Sequence, residues 1–336
     1  MIAPGEALPV GLGVGGSYYR EDVSNLDQRI EDAQARVTVT VPVSYSVQVS
    51  AAVGYEKVQI SSRDALVDSN GFPIVGPGGN YVTDKSSPRI LAYDVDGLIW
   101  DAGVMWRPSP RTSLTAQIGR RYGSTSYTGT FSYAPDARSA LNVAVYDNVA
   151  GFGGQINRAL DKLPTDFTAI RDPLTGDISG CVNSLEGGSC LAGALGSMRS
   201  AAFRARGVMA NYAVQLGRIS TGIGGGYDRR RFIAAPGTVL AVANGVIDEN
   251  YWLAAYINAR LDERSMVQTN VYANWLESGG AFGADSRSWG ATAAYYRDLT
   301  RRISARAALG IEGTDESTLP EDFWTASALV GVRYSF

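Results

Sequence analysis

Asparagine and tyrosine recur at two-residue spacing in the second half of this chain: Tyr256 and Asn258, then Asn270, Tyr272 and Asn274, then Tyr296. Asn142, Tyr146 and Asn148 form a similar row earlier. Amides donate and accept hydrogen bonds, and phenol rings stack on flat apolar faces, so such rows suit contact with sugars. Charges fall at the equivalent positions of other segments: Arg36, Glu56, Asp101, Arg107, Arg121, Arg260, Asp298, Arg306 and Arg333, with Asp228, Arg230 and Glu312. Two readings stand side by side. One is a polar track along which a carbohydrate passes; the other is a hydrated wall, or a charge ladder that stiffens a closed structure.

Other chemistry is poorly supplied. There is no histidine, which removes the usual general base, the usual zinc ligand and every Ser-His or Cys-His arrangement. No cluster with metal-ligand spacing and no phosphate-cradling loop stands out. Gly222 to Gly226 reads G-I-G-G-G inside a strand pattern and not before a helix, so it is no dinucleotide signature. The chain is expected to be neither an enzyme nor a holder of a cofactor or metal. A net charge of −3 argues against a nucleic-acid partner.

The elements that must carry these rows are strands. The last eight residues alternate to the end, with Val330, Val332, Tyr334 and Phe336 on one face and Leu329, Gly331, Arg333 and Ser335 on the other. A chain that finishes inside a strand needs a partner for it, and a closed barrel provides one. The same alternation places fourteen strands, at about 8–20, 33–42, 46–61, 95–107, 112–122, 125–134, 139–149, 203–216, 218–232, 249–262, 265–277, 286–299, 302–313 and 322–336. Tight turns (43–45, 109–111, 136–138, 217–218, 262–265, 299–302) alternate with long or glycine-rich loops (21–32, 62–94, 123–124, 150–202, 233–248, 278–285, 314–321).

Short turns at one end and long loops at the other suit a single all-β, closed, antiparallel up-and-down transmembrane barrel spanning residues 1–336. An even strand number puts both termini on the periplasmic side of a bacterial outer membrane. No run of 18 apolar residues is present, so no transmembrane helix is available. A chain that alternates lipid-facing with lumen-facing residues dilutes its apolar surface by half, as the near-zero mean hydropathy of −0.07 requires. Outward aromatics fall at strand ends. Tyr18, Tyr55, Trp100, Tyr122, Tyr127, Tyr227, Tyr251, Trp275, Trp289 and Trp324 are near the long-loop end; Trp106, Tyr133, Tyr212, Tyr295 and Tyr334 are near the other. Two water–lipid interfaces select such belts.

Loop 150–202 is long enough to be functional. It holds Cys181 and Cys190, expected to pair in an oxidising compartment, and two stretches with helical character, Gln155–Lys162 and Leu191–Ala202. Folded inward it would constrict the lumen; folded outward it would be an exposed cap. Arg229-Arg230-Arg231 suits lipopolysaccharide phosphates, or is a solvated rim. Residues 1–6 lack the basic start and apolar core of an export signal, so under the membrane reading such a signal is expected to have been removed.

The closing strand resembles that of bacterial outer-membrane β-barrels, whose terminal Phe is read by the barrel assembly machinery; this implies that role for Phe336. Met105-Trp-Arg-Pro-Ser-Pro-Arg-Thr-Ser-Leu114, then Gly119-Arg-Arg-Tyr-Gly123 and Tyr127-Thr-Gly-Thr-Phe-Ser-Tyr133, is similar to the β-barrel porin family associated with exopolysaccharide and exosortase (PEP-CTERM) gene clusters. Val41-Pro-Val-Ser-Tyr-Ser-Val47 and Val53-Gly-Tyr-Glu56 extend the similarity over roughly residues 35–135. The resemblance implies an outer-membrane, porin-like channel taking part in exopolysaccharide export, with outer-membrane lipid, polysaccharide and periplasmic export proteins as partners. It brings no catalytic residues. A general diffusion porin for small solutes, and a non-conducting structural or adhesion barrel binding through its outer loops, are the competing expectations.

Overall fold

Alternation of apolar and polar residues commits each segment to a strand, because successive side chains of extended backbone point to opposite faces. In a computed structural model, which describes residues 10–77, 80–151, 153–154, 168–171, 174, 178–183, 188–190, 201–280, 284–317 and 322–336, those strands form one large sheet. Its first seven strands are β1 (Gly11–Val23), β2 (Gln28–Pro42), β3 (Val47–Ser62), β4 (Ile90–Ser109), β5 (Thr112–Arg121), β6 (Ser124–Asp136) and β7 (Ser139–Ala150). Three short strands follow, β8 (Thr168–Arg171), β9 (Ile178–Asn183) and β10 (Gly188–Cys190), in a small sheet of their own. The large sheet resumes with β11 (Ala202–Leu216), β12 (Ile219–Ile233), β13 (Ile247–Arg260), β14 (Ser265–Ser278), β15 (Ser286–Asp298), β16 (Ile303–Glu316) and β17 (Phe323–Tyr334).

The order is β1-β2-β3-β4-β5-β6-β7-β11-β12-β13-β14-β15-β16-β17, with every neighbour antiparallel. The protein is therefore all-β, with fourteen strands running up and down. The expected closure is not seen: among the described residues no pairing joins β1 to β17. Both end strands are correspondingly open, with Val14 and Val330 each 84% exposed. The period-2 pattern specifies which face a strand presents, but it carries no information on whether the two end strands meet.

One face of the sheet is apolar and uncovered. Val53, Leu98, Leu253, Ile257 and Leu309 are exposed, whereas Ala52, Ile99, Ala254, Tyr256 and Ala308, one position away, are buried. Water does not tolerate so large a continuous apolar surface, whereas lipid does. No described helix is long and apolar enough to cross a membrane, which says nothing of strands.

The pattern then inverts toward the long-loop end of β1–β4. Beyond the paired Tyr18 and Ala33 on β1 and β2 and the paired Tyr55 and Leu98 on β3 and β4, outward positions become Arg20, Asp22, Arg29, Glu31, Lys57 and Asp94, and inward positions become Ile30, Val58 and Ile60. Asp22 pairs there with Arg20 at 2.7 Å and Arg29 at 2.8 Å. Charge outside and apolar packing inside is the arrangement of a sheet that has left lipid and entered water. The inversion also explains why 21–32, expected as a loop, is largely strand: only Ser24–Asp27 interrupt it.

The tight turns are built from local chemistry. Tyr122 and Gly123, both at positive φ (53° and 69°), close a two-residue hairpin between β5 and β6 whose twist matches its strands. In the β3–β4 loop the Asp68 carboxylate accepts the Asn70 and Phe72 N–H groups, which hold it below the usual carboxylate range.

Candidate functional site

The buried chemistry gathers at the long-loop end, around the recessed β5–β6 turn. Tyr122 N–H donates to Glu56 Oε1 at 2.5 Å, the Tyr122 hydroxyl lies 3.4 Å from Asp32 Oδ2, and the Tyr93 hydroxyl donates to the Tyr122 carbonyl at 2.7 Å. Arg121 bridges Glu56 and Asp32, each at 3.1 Å. Glu56 is 1% exposed, and these donors take the place of the water it loses on burial. Tyr122, expected on the outer aromatic belt, is instead 3% exposed and packs with Ile30, Val58, Ile60, Val149 and Ala202. It occupies a turn position, where strand alternation no longer sets side-chain direction.

On the neighbouring wall, Arg204 and Arg206 reach over the same turn. Arg204 binds Asp147 at 2.7 Å, Arg206 binds it at 3.2 Å, and Arg206 donates to the Thr125 carbonyl at 2.7 Å. Arg204 also donates to Ser124 Oγ and lies against the Tyr122 ring. The Asp147 side chain is fully buried. Asp147→Ala would leave both guanidinium groups facing one another without their shared anion, so the folded protein in detergent is expected to lose about 3 kcal/mol, the low end for breaking a buried pair because both arginines retain some water. Urea unfolding followed by tryptophan emission measures it; an unchanged midpoint would refute the assignment.

The two described ends of segment 151–201 are held at the long-loop end. Ala150 is opposite Phe203 in the β7–β11 register, yet both roots are tied to β1 and β2. Gly151 and Gly154 N–H donate to Glu21 at 2.7 and 2.8 Å, and Ala202 N–H donates to Gln28 Oε1 at 3.3 Å. Further in, Leu174 Cδ1 fills the space that a Cβ on Gly310 would need. That position is on the face shared with buried Ala308, not with exposed Leu309 and Ile311. Strand β9 lies against β13. Leu174 is thus on the inner side of the sheet. Cys181 is opposite Cys190 in the β9–β10 register. The helical stretches expected at 155–162 and 191–202 lie outside the described residues, except for Ala201 and Ala202, the latter opening β11.

Loops meet one another at the same end. Leu26, Ala65, Ala234 and Leu240 form one buried cluster, and Asp64 accepts the Val239 N–H at 2.9 Å. These residues come from the β1–β2, β3–β4 and β12–β13 connections, which lie on opposite arcs of the strand order.

The positions expected to line a lumen separate into groups. Arg36 and Asp101 approach to 3.7 Å, with Gly54 leaving room beneath Arg36. Glu56 and Arg121 belong to the Tyr122 cluster. Arg107, Arg260, Asp298, Arg306 and Arg333 are exposed in the half of the sheet nearer the short turns. Asn148, Asn270 and Asn274 are half-buried, each with at least one side-chain polar atom lacking a hydrogen-bond partner. Tyr256 and Tyr272 lie against Gly222 and Gly290 of adjacent strands, and Tyr296, opposite Met266, is half-buried. Arg229-Arg230-Arg231 is not one patch: Arg230 is 1% exposed and bound to Asp228 at 2.7 Å, whereas Arg229 pairs with Glu249 at 3.3 Å. Consecutive strand residues take opposite faces.

Sequence reasoning passed over Asp32, Asp147, Arg204, Arg206, Asn250 and Trp252. Asp32 was legible as an inward position once β2 is extended to Gln28. Asp147, Arg204 and Arg206 occupy outward positions, where alternation expects apolar residues. Among the described residues, no group of three or more His, Cys, Asp or Glu side chains could hold a metal.

The class this geometry defines is an up-and-down antiparallel β-sheet with one lipid-compatible face and a partly polar, partly packed inner face. No family model matches the chain, and no curated protein matches it. Among solved structures, outer-membrane-expressed OmpT of Vibrio cholerae aligns at 8% identity and TM-score 0.36 over 97% of each chain. The outer membrane channel DcaP of Acinetobacter baumannii aligns at 9% and 0.37 over 97% of each. An anion-selective porin from Comamonas acidovorans aligns at 8% and 0.34, over 97% of this chain and 100% of its own. TM-scores below 0.5 carry no argument, so function rests on the chain's own geometry.

Proposed function

We propose that this chain is a porin-like channel of the bacterial outer membrane, closed into a barrel by its lipid environment and narrowed from within by segment 151–201. The observation that carries the reading is the pair of faces: an exposed apolar face bounded by Tyr18, Tyr55, Trp100 and Trp275 on one side and Trp106, Tyr133 and Tyr212 on the other, and an inner face lined by Asn, Tyr and Arg. In this reading the long loops face outward and both termini face the periplasm. Phe336 serves as the assembly signal, and its ring packs edge-on against Tyr334 at 5.2 Å. Directly opposed strand residues sit at a Cα separation that a disulfide spans, so Cys181 and Cys190 pair and pin the tip of the inner segment. The partners are outer-membrane lipid and lipopolysaccharide, with polysaccharide and periplasmic export proteins suggested by the family resemblance. The transported class within this reading is exopolysaccharide, moved passively.

The test is electrical. Purified protein inserted into planar bilayers is expected to give discrete conductance steps. Their absence for both the intact chain and a chain lacking residues 155–200 would refute a channel and favour a structural barrel.

A further inference from the structure

The inner faces of β13, β14 and β15 carry a lane of neutral groups between charged ends. On β13 the lane is Asn250, Trp252, Ala254, Tyr256 and Asn258; on β14 it is Gln268, Asn270, Tyr272 and Asn274; on β15 it is Ser288, Gly290, Thr292, Ala294 and Tyr296. Asp248 stands above it, and Arg260 and Asp298 stand below. Trp252, Tyr256 and Tyr272 each have an edge or face against a glycine of the adjacent strand: Cβ atoms at Gly226, Gly222 and Gly290 would come within 2.7, 2.5 and 2.5 Å of these rings. Glycine here lets the aromatics lie along the wall instead of standing into the lumen.

Between the rings, the amides lack partners. Both side-chain polar atoms of Asn250 and of Asn270 have none, nor do Asn258 Oδ1, Asn274 Oδ1 and Thr292 Oγ1. Asn250 is 1% exposed, so solvent does not compensate it. Native proteins leave few buried polar groups unsatisfied, and a concentration of them on one wall needs an explanation. Strand β9 lies near β13, and Trp252 and Tyr256 are only 5% and 8% exposed.

We propose that this lane is a carbohydrate-binding track. Rings along a wall offer stacking faces for the apolar side of a sugar, and the amides offer the donors and acceptors its hydroxyls require. The absence of charge between Asp248 and Arg260 selects neutral polyols over anions. The inference rests on the channel reading and names what the channel binds.

The chain with residues 155–200 replaced by a short Gly-Ser linker is titrated with maltohexaose and with cellohexaose, reading both ion-current block and tryptophan emission in detergent. Sugar is expected to block current and to change emission. An Asn258→Leu/Asn270→Leu variant is expected to weaken binding about tenfold, as loss of one or two hydrogen bonds would. The emission change is expected to shrink in Trp252→Phe. Current without block or emission change for either sugar overturns the track and leaves the channel standing. No current, but an emission change sensitive to Asn258 and Asn270, upholds the track and overturns the channel. Block that is indifferent to both asparagines places the sugar elsewhere and overturns the track.

Discussion

Removal of residues 155–200 is expected to raise single-channel conductance several-fold. The chain leaves the wall at Ala150 and returns at Ala202, and its ends there are held by Glu21 and Gln28. Leu174 reaches Gly310 of β16, and β9 lies near β13. A current through the curve of the sheet must pass this segment, so its cross-section is subtracted from the path. The deletion is conservative for the wall, since Ala150 and Phe203 are register partners and a short linker joins adjacent strands. Gly151, Gly154 and Ala202, which make the tethering hydrogen bonds, are retained. Conductance in planar bilayers compares the two proteins directly, with heat-modifiable migration in SDS gels confirming that the shortened chain folds. A folded deletion protein with the intact chain's conductance would show that the segment does not restrict the path.

The wall was legible because period 2 repeats over ten or more residues per strand. Alternation placed β11 at 203–216 against the observed Ala202–Leu216, and β14 at 265–277 against Ser265–Ser278. It failed where its premise failed. Above Tyr18 and Tyr55 the two faces exchange polarity, so Ile30, Val58 and Ile60 face inward and charges face outward; reading polarity alone turned strand into loop at 21–32. Tyr122 fell to the same limit, because a turn residue at φ 53° has no alternation to obey. Asp147, Arg204 and Arg206 were invisible for the opposite reason: they obey the strand period but pair with one another where lipid was expected. The inner segment had no period to read, and its course depends on Glu21, Gln28 and Gly310, far away in sequence. The Asn and Tyr rows were visible as residue types. Their arrangement against Gly222, Gly226 and Gly290 needed the register, because each glycine is on a different strand from the ring it accommodates.

Closure of the sheet in the bilayer carries the other large expected effect. As described, β1 and β17 each present an unpaired edge. In lipid no water reaches such an edge, and every unmet N–H or C=O costs several kcal/mol, so an open seam along strands this long is untenable there. The two edges are suited to meet. β1 runs toward the long-loop end and β17 away from it, so their pairing is antiparallel like all others in the sheet. Outward Val14, Val330 and Val332 are bare on both sides of the seam. Cysteine pairs test this in isolated outer membranes: Val14→Cys combined in turn with Ala328→Cys, Val330→Cys and Val332→Cys, because barrel stagger shifts the register. At least one combination is expected to cross-link nearly completely under mild oxidation. Ala305→Cys/Val332→Cys, opposed in the β16–β17 register, is the positive control. Cross-linking of the control with none across the seam would mean that the edges stay apart in the membrane, and the barrel would then require another strand between them.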